Sequence, residues 1–182
     1  MLDEFDSVDR LTAGAVGPPG DRVFYVQGRR GPSLVTLLLE KQQLELLSTW
    51  VIDKLYRVGA ETGEGPPEEE MDLEEPLEPR WRAGRLSLGY EEDRDMMFLE
   101  IEELLEDGAE GEAEEGEEET GEDTDPAVVR FWATREQMMA LARHGAAVCA
   151  AGRPRCELCG GSIDPEGHVC PALNGHRELG EA

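Results

Sequence analysis

The order of apolar segments along this 182-residue chain predicts an α+β fold, mainly antiparallel sheet with helices on one face. Two observations carry that expectation: short strand-like runs come in threes, and each trio is followed by a segment with helical spacing. A third observation keeps the pattern readable. The formal charge of −25 suggests a chain too acidic to fold, yet nine acidic residues lie between positions 61 and 78 and twelve between 106 and 125, with no basic residue in either stretch. Outside them, 17 basic residues face 21 acidic ones, so the rest of the chain is close to neutral.

Residues 10–16 and 22–27 alternate as strands do, and Gly17-Pro-Pro-Gly20 between them supplies turn residues at both ends, which predicts a hairpin. Residues 34–39, entered through Gly31-Pro32, form a continuous apolar run and read as a third, more buried strand. From Lys41 to about Val58, Leu44, Leu47, Val51 and Leu55 recur at three- and four-residue steps, the stripe of an amphipathic helix. The order then repeats. Residues 81–90 and 96–104 read as strands around Glu91-Glu-Asp-Arg94, residues 127–133 supply another, and a helix runs to about Cys149. Thr134-Arg-Glu-Gln137 opens that helix as a capping box, with Thr134 bonding a free amide and Gln137 reaching back. The expected body therefore spans 8–150 as two βββα units, about 8–59 and 80–150. Phe98, Phe131, Trp132, Met138, Met139, Trp50 and Trp81 are read as core, and His144 as a cation favoured by a helix C-terminus.

The acidic segments are read as a linker, 60–79, and an insertion, 106–126. The Glu/Gly run of the insertion repels itself and has nothing apolar to bury, so disorder is expected there.

The tail, 152–178, carries the one clear chemical constellation. Cys156-Glu-Leu-Cys159 and His168-Val-Cys170 are two close pairs of ligands that zinc favours, separated by eight residues. Asp164-Pro-Glu-Gly167 has type I turn residues, so the chain doubles back and 162–163 can pair with 168–169. Residues two apart on an extended segment share a face, which lets His168 and Cys170 point at one ion. His176 competes with His168 for the fourth place; His168 closes the more compact site. Three thiolates and an imidazole leave no open position for water, so a structural zinc site is expected. The tail has few apolar residues, and its folding free energy has to come largely from metal. A redox Cys-x-x-Cys normally opens a helix after a strand, whereas here Arg153-Pro-Arg155 precedes and two glycines follow. Cys149, the remaining cysteine, reads as a small buried side chain.

Several function classes lack their residues. Gly14, Gly17 and Gly20 lack the Gly-Lys-Ser/Thr of a phosphate loop, no G-x-S-x-G elbow occurs, and all three histidines fall in the last forty residues. No apolar run reaches membrane length, and the first six residues hold three acidic residues and no basic one, unlike a signal peptide, so a cytoplasmic location is expected. Nucleic acid is disfavoured because no basic stripe is present; Arg153, Arg155 and Arg177 are the candidates for RNA contact. The favoured reading is a non-catalytic adaptor or regulatory protein with a protein partner. The alternative is an enzyme whose pocket holds Arg22 and Lys41, with Gln42 and Gln43 beside them.

Thr12-Ala-Gly14, Gly17 with Pro19-Gly20, Arg22, Phe24-Tyr25, Gln27 and Leu39-Glu-Lys-Gln-Gln43 form one set of motifs. Ala151-Gly-Arg-Pro154, Cys156-x-Leu-Cys159, Asp164-Pro-Glu-Gly-His-Val-Cys170 and Asn174-Gly175 form another. On these the chain resembles a small actinobacterial family known only as a domain of unknown function. The resemblance implies the same three cysteines and His168 as a metal site, with tyrosine usual where this chain has His176. Glu157 departs from the proline usual inside the first knuckle, and the Glu/Gly insertion is longer than the family's.

Overall fold

A computed structural model of the chain describes residues 1–59, 61–105, 125–152, 156–159, 163, 170 and 172. Its elements run β1 (Leu2–Phe5), β2 (Arg10–Val16), β3 (Val23–Arg30), β4 (Ser33–Leu39), α1 (Lys41–Val58), β5 (Pro79–Glu91), β6 (Met96–Glu103), β7 (Val128–Thr134) and α2 (Arg135–Ala150). The strands form one seven-stranded sheet in the order β1-β7-β6-β5-β4-β3-β2. Neighbours are antiparallel except β1 with β7 and β4 with β5. This is the α+β architecture that the two strand trios predict, with every strand and helix predicted for residues 8–150 present; the hairpin predicted at 162–163 and 168–169 lies, apart from Ile163, outside the described residues.

The capping box at Thr134 forms: Thr134 Oγ1 accepts from the Gln137 amide at 3.2 Å, and Gln137 Oε1 accepts from the Thr134 amide at 2.9 Å. The stripe of α1 is buried at Leu44, Leu47, Val51 and Leu55, and it faces α2. The helices pack closely at Gly145, where a side chain would collide with Leu44 and Ser48. After β1 the chain stitches distant strands together, because the Val8 amide donates to Trp132 O of β7 at 2.9 Å and the Asp9 amide to Arg29 O of β3 at 2.8 Å. The sheet therefore curls. Gly28 of β3 leaves room for the ring of Phe131 on β7, and Phe131 packs on Phe5 with ring centroids 5.4 Å apart.

Four features differ from the sequence reading. β1 is additional; it is four residues long and buries only Phe5, too little for an alternation signal. The segment read as an acidic linker is packed on the body over 61–78. Met71 is 1% exposed, Leu73 fills the space above Gly14, and Thr12 Oγ1 donates to Met71 O. Buried Gln27 brackets Glu74, donating to its carbonyl at 2.9 Å and accepting from its amide at 2.8 Å. Arg10 and Arg29 pair with the Glu74 carboxylate, and the hydrogen bond from Arg10, foremost, holds its pKa below the ordinary value. Two apolar side chains and two arginines thus anchor a run whose composition reads as solvated. His144 does not sit at an open helix end: it is 9% exposed, and its Nδ1 lies 2.5 Å from Glu68 Oε1 of the same segment. Trp50 is not core; it is 44% exposed on the outer side of α1. Phe131, Trp132 and Met138 are buried as expected, and Trp81 and Met139 pack against the core from its margin.

Candidate metal centre

Cys156 to Cys159 form a turn, and the thiols of Cys156, Cys159 and Cys170 all lie within 4.8 Å of one another. The Cys156 and Cys170 sulfurs are 3.8 Å apart. A disulfide would need about 2.05 Å. Tetrahedral zinc, with Zn–S of about 2.3 Å, sets its sulfurs about 3.8 Å apart, so this pair has the spacing of two ligands on one ion.

Electrostatics favour the same use. The Cys156 pKa is lowered to about 6, chiefly because the backbone amides of Cys159 and then Leu158 donate to its sulfur. A knuckle that turns its amides inward stabilises thiolate, the form that binds metal. Cys170 is buried and Cys156 and Cys159 are half-buried, an arrangement that would shield an ion on one side. Leu158, at the tip of the turn, is 64% exposed.

The structure brings together the three predicted cysteines. His168, its rival His176 and the predicted turn 164–167 lie outside the described residues, as do residues 106–124 of the insertion predicted at 106–126 and Arg153, Arg155 and Arg177. Cys149 takes no part in the cluster. Burial, foremost, pushes its thiol up to about 11, and its sulfur approaches Lys41 O at 3.9 Å. It is the small buried residue that the sequence suggests.

Arg22 and Lys41 do line one cavity, together with Phe24, Leu39, Glu40 and Arg82, but its volume is only about 190 Å³. Both cations are engaged: Arg22 donates to Val148 O at 3.3 Å, and Lys41 pairs with Glu45 at 3.4 Å. A larger opening escapes the sequence reading. Between α1 and β5 lies a groove of about 880 Å³ walled by Trp50, Lys54, Arg57, Leu88 and Tyr90. A second cavity of about 300 Å³, walled by Leu46, Trp50, Gly84 and Leu86, adjoins it through Trp50. The available signal was Leu46 and Trp50, an i,i+4 apolar pair off the main stripe of α1.

Among the described residues, no helix is long and apolar enough to cross a membrane. No curated protein and no solved structure matches the chain. One family model does, over residues 3–170, from the first strand through the last of the three thiols. The chain belongs to the family described as "Protein of unknown function (DUF3090)".

Proposed function

We propose that the chain is a cytoplasmic, non-catalytic zinc protein of actinobacterial type, an adaptor or regulator whose cysteine tail presents a surface to a protein partner. The observation that carries this reading is the three-thiol cluster, with two sulfurs at the spacing of ligands on one zinc ion. Cys156, Cys159 and Cys170 hold the metal with His168 as fourth ligand, and the filled sphere makes the ion structural. Zinc supplies folding free energy to a tail with little apolar surface of its own. Exposed Leu158, two residues from one thiol and one from another, gives the knuckle an apolar tip for a partner.

Purified protein is expected to carry one zinc per chain by elemental analysis, retained in His176→Ala and lost or strongly weakened in His168→Ala. Retention in His168→Ala with loss in His176→Ala overturns the ligand assignment. Cys159→Ser is expected to lose the metal and a specific partner recovered from native cells, while the sheet body keeps its cooperative melt. A partner that stays bound to the zinc-free variant removes the tail from the adaptor role.

A second reading rests on the cavity shared by Arg22 and Lys41. An enzyme pocket would usually be larger, about 300 Å³ or more, and would offer uncommitted polar groups. Retention of a small molecule by wild-type protein, lost in Arg22→Ala and Lys41→Ala, would favour it over the adaptor.

A further inference from the structure

β5 outruns its neighbour. Its first residues pair with β4, at Thr36↔Pro79 and Leu38↔Arg82, and there β4 ends and the chain turns into α1. From Leu86 to Glu91, β5 is paired only on its other side, with β6. Gln43 of α1 donates to Ala83 O at 3.1 Å and Gly84 O at 2.9 Å, which covers the start of the exposed edge. Arg85 to Glu91 remain an open edge among the described residues. In an antiparallel pair, alternate residues direct N–H and C=O away from the neighbouring strand, so this edge presents a row of backbone donors and acceptors.

The side chains along the edge are half satisfied as well. Leu86, Leu88 and Tyr90 lie opposite buried Ile101, Leu99 and Met97 and so share the core face, yet each is only partly buried. They face the groove beside α1, where Leu46 and Trp50 are 49% and 44% exposed. Arg85, Ser87, Gly89 and Glu91 belong to the outer face.

We propose that this edge pairs with the same edge of a second copy of the chain, antiparallel and centred on Leu88. The segment Arg85-Leu-Ser-Leu-Gly-Tyr-Glu91 is complementary to its own reverse, which is what a two-fold interface requires. In that register Arg85 meets Glu91 of the partner subunit, and Leu86 meets Tyr90 of the partner subunit. Ser87 meets Gly89 of the partner subunit, and the two Leu88 residues face each other. Charges pair at both ends, where Arg85 also holds Glu102 of its own chain and Glu91 lies 3.8 Å from Arg94, and apolar residues pair within. Moving the centre to Ser87 or Gly89 breaks the Arg85–Glu91 match. The aromatic ring opposite Leu86 reaches the cavity of about 300 Å³ that Leu86 shares with Leu46 and Trp50. The net charge of −25 opposes association at long range, but it is screened beyond about 8 Å at physiological salt.

The proposal is independent of the metal centre, since every residue it uses lies in the sheet body. Sedimentation equilibrium of the full zinc-loaded chain is expected to give a reversible dimer. Arg85→Glu and Glu91→Arg, each placing like charges opposite at two symmetric points, weaken it roughly tenfold. The double variant Arg85→Glu with Glu91→Arg restores it, a rescue that a merely damaged fold would not give. Trp50→Ala also weakens the dimer, with zinc content and melting cooperativity retained. A monomer at every attainable concentration overturns the proposal, as does a dimer that neither charge reversal moves or one that Cys159→Ser abolishes. A monomer that instead captures an octapeptide from a displayed random library, with capture lost in Trp50→Ala, assigns the edge to another protein's strand and equally overturns it.

Discussion

The units β2-β3-β4-α1 and β5-β6-β7-α2 share one element order and turn from strand to helix in the same way, but they bury their helices differently. In each, the glutamine three residues into the junction accepts from the amide of the residue before the helix, Gln43 from Glu40 at 2.8 Å and Gln137 from Thr134 at 2.9 Å. Beyond that turn they diverge. Helix α2 buries Met138, Ala140, Leu141, Ala142, His144, Gly145 and Cys149, whereas α1 buries one stripe and leaves Leu46, Trp50, Ile52 and Tyr56 at the surface. Helix α2 packs on β2 as well as on α1, whereas α1 touches the sheet little, and the path of the chain after α1 adds to the difference. Residues 61–78 cross toward α2, set Glu68 on His144 and dock on β2 and β3, so they cover the second unit's helix and leave the first unit's bare. The same local pattern thus makes a core helix in one place and an open face in the other.

The sharpest test of that difference is a pair of truncations. Leu141→Ala, at a fully buried position of α2, is expected to cost about 2–5 kcal/mol in denaturant unfolding. Tyr56→Ala, at a site 86% exposed on α1, is expected to stay within about 0.5 kcal/mol. Similar losses at the two positions would mean that α1 is covered in solution and the contrast is false.

An intermediate effect comes from the segment that adds to the asymmetry. Glu74, its pKa lowered mainly by the hydrogen bond from Arg10, binds a proton less readily folded than unfolded. The stability it contributes is complete above its ordinary value of 4.5 and is lost as pH falls through the lower folded value. Glu74→Gln keeps the backbone bonds to Gln27 but not the ion pairs. It should melt below wild type at pH 7, with the gap closing as pH falls below 4.5. A gap constant with pH would remove the ion pairs from the docking of 61–78.

These regions also mark what the sequence discloses. Strands and helices were legible because each trio keeps its apolar period between strong turn residues, and Thr134 with Gln137 marks a helix start by residue type alone. The cysteine cluster was legible because a Cys-x-x-Cys turn brings two ligands together within four residues, whatever surrounds it. The docking of 61–78 was not, since Met71 and Leu73 are two apolar residues inside a run of carboxylates, and their value depends on Gly14 and Arg10 far away in sequence. Nor was the open edge of β5. It exists because β5 pairs parallel with β4 and then continues beyond it, a relation between two segments separated by a helix, and no local pattern encodes it.

The smallest expected effect probes the one place where the two units look most alike. Thr134 supplies a hydroxyl that accepts the Gln137 amide, the bond that a threonine cap makes, and replacing it with alanine should cost about 1 kcal/mol. Glu40 is a poorer capping residue by type, and its side chain is also drawn to Arg82 in an exposed ion pair, an interaction worth about 0.5 kcal/mol or less. Glu40→Ala should therefore cost less than Thr134→Ala, while Gln43 continues to hold the Glu40 amide. Chemical denaturation of the two single variants resolves the difference. Equal losses would mean that the two helix starts carry the same capping energy, and the asymmetry between the units would then begin only beyond the helix starts.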